Sequence, residues 1–265
     1  MPDCQNTLPK QRSNTLSYIA INDLQAVWRR DWLKAGDHFD ETTRVYWAQV
    51  NDDFVDIRIP LSRPNLANAS CLADLDASAL KQLMESEGFA GKVSLNNNVC
   101  TWHREINWHG STNDIDTGTL TFEQDEQILI EDGVHANYTE QWRRDKQCEL
   151  SSIRIANDKF IGWLIYSPTH FIYGLGQSQS ENTQLLIQSL ENDRIPGNIE
   201  KHFEHEYCFG HWEDDVGIAD ICTNPFCEHE MVLRWQHDRV FWIQKTFEGQ
   251  LQQRQLHHQT AISRT

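Results

Sequence analysis

Residues 96–110 read NNNVCTWHREINWHG. Three asparagines suit a turn, because their short side chains tolerate left-handed backbone and bond to it locally. The residues after them alternate, and β-branched and aromatic side chains are frequent, which predicts a strand. A period of two places Cys100, Trp102, Arg104, Ile106 and Trp108 on one face and Val99, Thr101, His103, Glu105 and Asn107 on the other. A face of large rings with an arginine at its centre predicts the inner wall of a β-barrel, the rings forming the wall and the cation orienting a guest.

Upstream, NDLQAVWRRDWL (22–33) predicts a short helix with Asp23 as N-cap and Trp28 and Trp32 on one face, placed to close a barrel end. TTRVYWAQV and FVDIRIP then read as a hairpin turning at 51–53 and stopped by Pro60. LDASALKQLMESEG predicts a helix capped by Asp76 and ended by Gly88. FAGKVSL pairs with the strand quoted above, TGTLTFEQ and QILIEDG form a further hairpin, and NYTEQWRR completes the first half.

From about residue 149 the order repeats: a hairpin (KFIGWLIYSP, THFIYGLGQ), a helix (ENTQLLIQSLENDR), strands KHFEHEYCFGHWED and VGIADICTN, and a last hairpin (EMVLRWQHD, RVFWIQKTF). The polar tail QLQQRQLHHQTAISRT is expected to fray. About fourteen short strands, two helices and no alternating βαβ pattern predict an all-β protein of antiparallel barrels. Two barrels in tandem are expected, over 1–148 and 149–265.

With 39 acidic against 23 basic residues the net charge is -16, so phosphate backbones and anionic headgroups are repelled; neither nucleic acid nor membrane is expected as a partner. The N-terminal stretch has no apolar signal core and no window reaches the length of a membrane span, which predicts a soluble, cytoplasmic protein. Seven cysteines at irregular spacing fit free, mostly buried thiols. Ten tryptophans fill cores or line ligand cavities.

The series WRRDW, FVDIRIP, EGFAG, CTWHRE, EDG and EQWRR, between residues 28 and 144, resembles a little-characterised family of the calycin, or lipocalin-like, superfamily, some members of which have two barrels. The resemblance implies a fold and no reaction. The GxW before the first strand of lipocalins is absent; Trp32 ahead of Gly36 is the nearest equivalent.

Chemistry follows from charges that share faces with rings. Arg104 sits among Trp102 and Ile106, Asp56 and Arg58 share a face with Phe54, and Glu140 and Arg144 flank Trp142. Inward-facing arginines need partners, and Asp56, Glu105 and Glu140 are available. The leading expectation is non-covalent binding of a small, largely apolar molecule with an acidic group, walled by Trp47, Trp102, Trp108 and Trp142 and anchored by Arg104 and Arg58. The structural alternative uses the same pairs to close a barrel end, with tryptophan stacked on guanidinium. A cofactor-independent enzyme (isomerase, hydratase or hydrolase) using His103 and Glu105 is the second class, His170 with Tyr173 being a further pair, and a filled-barrel scaffold for protein partners the third.

HFEHEYCFGH offers His202, His205, Cys208 and His211 as zinc-type ligands, with Cys222, Cys227 and His229 downstream. On a strand, however, His205 and His211 face away from Cys208, so no metal or other cofactor is expected. No hydrolase elbow, zincin, phosphate-loop or dinucleotide motif occurs.

Overall fold

Asparagines in left-handed backbone set the first hairpins: Asn51 (φ 52°) joins strand Arg44–Val50 to strand Asp53–Ile59, and Asn97 and Asn98 (φ 49° and 64°) join strand Glu87–Asn96 to strand Val99–Asn107. The computed structural model describes residues 18–111, 114–146, 149–156, 159–177 and 183–258. The boundary expected at 148 and the last seven residues of the tail lie outside them.

The first barrel comprises β1 (Ala26–Ala35), β3 (Arg44–Val50), β4 (Asp53–Ile59), β5 (Glu87–Asn96), β6 (Val99–Asn107), β7 (Asp116–Glu123), β8 (Ile128–Gly133) and β9 (Thr139–Lys146), with β2 (His38–Asp40) paired only to β1. Pairing of β1 with both β3 and β9 closes it as eight antiparallel strands. The second is a closed barrel of β10 (Ser151–Ala156), β11 (Ile161–Tyr166), β12 (His170–Gly176), β13 (Glu206–Glu213), β14 (Val216–Cys222), β15 (Met231–Gln236), β16 (Arg239–Lys245) and β17 (Leu251–His258). Helix α1 (Ala77–Leu83) lies between β4 and β5, and α2 (Gln184–Glu191) and the single turn α3 (Ile199–His202) between β12 and β13. No helix among the described residues is long and apolar enough to cross a membrane.

Both barrels therefore run through three strands, a helix and five strands, where the sequence reading expected only a hairpin before each helix. The difference lies in three segments. The predicted helix at 22–33 is a 3-10 turn, Ile21–Leu24, followed by β1. A four-residue spacing fits a helix face and a regular strand face alike, and the backbone hydrogen bonds offered by β3 and β9 override helix propensity; a bulge between Arg30 and Trp32 then pairs Trp32 with Gln141, away from the lumenal Trp28. The expected closing role falls to the 3-10 turn, whose Leu24 is fully buried in the core of barrel 1. β10 has only Ile153 and Ile155 as large apolar markers, and half of the tail predicted to fray, Leu251–His258, is β17, which closes barrel 2 against β10 and β16. The strand expected from Lys201 begins at Glu206, after α3. Asp76 caps α1 as expected, accepting from Ala79 N at 2.8 Å.

Gly88 does not end a helix. It lies in β5, where any Cβ would clash with the Tyr207 ring; Gly174 leaves the matching space on the other side. Tyr207 is thus held between the barrels by two absent side chains. Around it runs the largest apolar cluster, in which Val55, Ile57 and Ile59 meet Trp163, Ile165, Ile172, Phe209 and Ile221. Tyr46 stacks on Phe209 with centroids 4.2 Å apart and planes 6° apart. Trp163 Nε1 and Ser152 Oγ donate to Asp53 at 2.9 and 2.6 Å across the same junction.

The strand 99–107 exists as expected, and its alternation does not persist. Ala90 pairs with Ile106 but Gly91 with Arg104, so Glu105 is an extra residue in a β-bulge. A Cβ on Gly91 would clash with the His103 carbonyl oxygen, so the bulge needs glycine there. Before it, Cys100 and Trp102 face the lumen of barrel 1. Beyond it, Ile106 and Trp108 belong to the cluster between the barrels. The single face predicted for all five residues is thereby corrected. Barrel 2 repeats the device: Phe209 pairs with Ile221 and Gly210 with Ala219, leaving Asp220 as the extra residue, and a Cβ on Gly210 would clash with the Ile218 carbonyl oxygen.

Candidate ligand cleft at the rim of the first barrel

Alternate residues of β1, β3, β4, β6 and β9 bring Trp28, Trp47, Phe54, Trp102 and Trp142 into the lumen of barrel 1. Trp47 lies edge-on to both Trp102 and Trp142, each at 5.6 Å between centroids, and stacks on Trp28 at 6.1 Å. Trp28, Trp47 and Trp142 have almost no exposed surface. Indoles occupy the middle of the space in which a guest was expected. Trp108, assigned to that wall by the sequence, instead packs against His202, Phe203 and Tyr207 between the barrels.

The lumenal charges form a chain. Arg30 donates to Asp40 Oδ2 at 2.6 Å and to Glu140 Oε1 at 2.7 Å; Arg58 donates to the same Glu140 oxygen at 3.4 Å and to Asp56 Oδ1 at 3.0 Å. Two of the partners named from the sequence, Asp56 and Glu140, serve Arg58; the third, Glu105, is taken by Arg154 of barrel 2 at 2.7 Å. Burial pushes the Asp56 carboxyl up from 3.8 to about 6 against the opposing effect of Arg58. Asp40 goes the other way: burial raises it, but bonds from Thr42 and Thr43 outweigh that and hold the carboxyl well below its usual range. Arg144 is not paired with Glu140. It ties β9 to the segment entering β1, donating to the Asp23 and Gln25 carbonyls at 2.9 and 3.2 Å over the Trp28 ring.

Arg104 differs from these arginines. Its guanidinium lies over the Phe89 ring at 3.7 Å and donates through Nε and Nη2 to one oxygen of Asp116, at 3.1 and 2.6 Å. Its side chain keeps 24% of its surface exposed. It lines two open clefts, together with Asn107, Asp114, Ile115 and Asp116. The first, about 380 Å³, adds Trp102, His103, Glu105 and, from the end of β12, Gln177. The second, about 390 Å³, adds Glu87, His109, His135 and Tyr138. Within the first, His103 Nε2 bonds Ser94 Oγ at 2.8 Å and Glu105 is engaged by Arg154, so these two do not form an acid–base pair. His170 and Tyr173 likewise stay apart: His170 stacks near Phe209, whereas the Tyr173 hydroxyl donates to Glu206.

Sequence reasoning missed Asp116, Glu87, Asp114 and Tyr138 at this rim, and Arg30, Asp40 and Glu131 inside. Arg30 and Asp40 carried no signal because β1 was read as helix. Glu131 could have been found, since alternation in QILIEDG places it with Leu129.

In barrel 2 the histidines and cysteines separate as strand geometry requires. His211 bonds Asp220 at 2.8 Å in partial exposure, His205 is buried near Phe160, and Cys208 points into the lumen. That trio does not converge. Glu206, Cys222 and Cys227 do: one ligand atom from each lies within 4.8 Å of the others.

The sequence matches no protein-family model and no curated protein. Among solved structures it is similar to the crystal structure of the uncharacterized protein YLR301w from Saccharomyces cerevisiae, at 12% identity and a TM-score of 0.46, over 89% of this chain and 100% of that one.

Proposed function

We propose that the protein binds a small polar molecule non-covalently, at the rim of barrel 1 around Arg104. The observation that carries this reading is the state of that guanidinium: flat on Phe89, fixed by Asp116, and open to both clefts. An arginine already held in place loses little rotamer freedom when it engages a guest. Among the described residues the lining around it is acidic, with Glu87, Asp114 and Asp116 beside Arg104. A carboxylate guest meets that charge unfavourably, whereas a neutral or cationic molecule rich in hydroxyl or amine donors meets acceptors on two sides. The chemical class favoured is therefore a polyol or amine in place of the acidic, apolar guest expected from sequence. The closed eight-stranded form of both barrels supports a calycin-like relationship, and the five described cysteines, all free and buried, support a reducing, cytoplasmic setting.

The test is calorimetry on the purified chain with neutral polyols, amines and carboxylates, preceded by native mass spectrometry for a retained molecule. A polyol or amine is expected to bind, and Arg104→Ala, measured at a temperature where the variant is folded, to weaken it at least tenfold, about 1.4 kcal/mol. A clean mass and no heat from any class would remove the reading. The filled lumen favours one rival, a scaffold presenting loops to a protein partner; under that reading Arg104→Ala changes stability alone.

A further inference from the structure

Barrel 2 carries in its lumen a cluster on which the cleft of barrel 1 does not depend. Glu206 and Cys208 alternate inward on β13, and Cys208 faces Cys222 across the β13–β14 ladder. A 3-10 turn, Pro225–Cys227, begun by Asn224 accepting from Phe226 N at 3.1 Å, folds Cys227 back onto them. All four side chains are at most 2% exposed.

The orientation of Glu206 separates a site from ordinary packing. Tyr173 Oη and Trp242 Nε1 both donate to its Oε1, at 2.5 and 2.6 Å, and among the described residues Oε2 receives the Cys227 thiol alone, at 3.7 Å. Barrel 1 supplies the control. There Glu131 receives Tyr138 on Oε1 at 2.7 Å and Trp142 on Oε2 at 3.0 Å, so each oxygen has a strong donor. The same three residue types saturate a buried carboxylate in one barrel. In the other they pin one oxygen and turn its partner onto the Cys227 thiol, a weak donor and a good metal ligand.

We propose that barrel 2 encloses a structural zinc(II) site formed by Glu206 and the sulfurs of Cys222 and Cys227; Cys208, opposite Cys222 on the ladder but outside this group of three, turns in to complete the tetrahedron. Zinc–sulfur bonds of ~2.3 Å and zinc–oxygen bonds of ~2.1 Å place tetrahedral ligand atoms roughly 3.5–3.8 Å apart. The three atoms now within 4.8 Å reach that spacing by small side-chain rotations. Each ligating thiol gives its proton to solvent as its sulfur binds, with no change of oxidation state. Tyr173 and Trp242 become the outer shell that fixes the carboxylate.

Metal analysis of protein produced in medium containing zinc and copper, after dialysis, tests the site. Zinc near one equivalent per chain is expected, falling at least tenfold in the doubly substituted Cys222→Ser, Cys227→Ser chain. Glu206→Gln is expected to lose zinc to a chelator at least tenfold faster. Less than a tenth of an equivalent in the folded wild type, copper in place of zinc, or an unchanged zinc content in the folded double variant overturns the proposal. If the double variant does not fold, the wild type refolded with cobalt(II) decides: thiolate-to-cobalt charge-transfer absorption in the near ultraviolet supports the site, and its absence overturns it.

Discussion

Asp56 shows how far a single residue can be read. The sequence placed it on a face with Phe54 and Arg58 and offered it as a partner for an inward arginine, and the structure pairs it with Arg58 at 3.0 Å. What the sequence could not supply was depth. Burial raises the carboxyl from 3.8 to about 6, so the folded chain keeps a proton that the unfolded chain has released in that window. This group therefore favours folding at acid pH, and its contribution is lost as pH rises from 3.8 to about 6. Urea unfolding of wild type and Asp56→Asn should show the variant gaining on wild type across that interval; a constant difference would contradict the assignment. Trp108 teaches the complementary lesson. Its burial was legible and its surroundings were not, because one residue inserted three positions earlier, Glu105, exchanged its face.

At the scale of elements, the legible ones were those with dense alternation or a clear cap, such as β3, β4, α1 and β6. β10 and β17 were lost because SSIRIA and LQQRQLHH hold few apolar residues, their pairing being decided by barrel closure rather than by local preference. β1 was lost because a four-residue spacing of tryptophans fits helix and strand alike. The bulges were missed as well, although a glycine inside a strand is their usual mark. Gly91→Ala is expected to cost about 1–3 kcal/mol, as a methyl forced against the His103 carbonyl oxygen does in a packed site. Gly197→Ala, where a Cβ meets nothing within 4 Å, should change stability by no more than about 0.5 kcal/mol. Equal effects in thermal or urea unfolding would show that the bulge does not need glycine.

For the molecule as a whole, the tandem barrels and their common element order were foreseeable; their junction was not. Outward-facing residues of a barrel strand look like solvent-facing ones until a neighbour is known, yet Val55, Ile57 and Ile59 are fully buried against barrel 2. At about 25 cal/mol per Å² of apolar surface removed from water, such a face stabilises the pair strongly and is a liability when bare. A fragment of residues 18–146 made alone is expected to self-associate by light scattering and to bind a hydrophobic dye, whereas the whole chain does neither. A monodisperse, dye-negative fragment would show that barrel 1 tolerates the loss of its neighbour.

The extra residue in β6 has a meaning beyond its own strand. Glu105, the insertion that turns Ile106 and Trp108 toward barrel 2, spends its own carboxylate on Arg154 of that barrel. One irregularity in a ladder thus acts as a hinge pin and a latch together, ending the pocket-forming half of the strand and beginning the half that fastens two cylinders side by side. The cleft at Arg104 lies where those halves meet, so anything that slips the docking of the cylinders will reshape the cleft in the same movement.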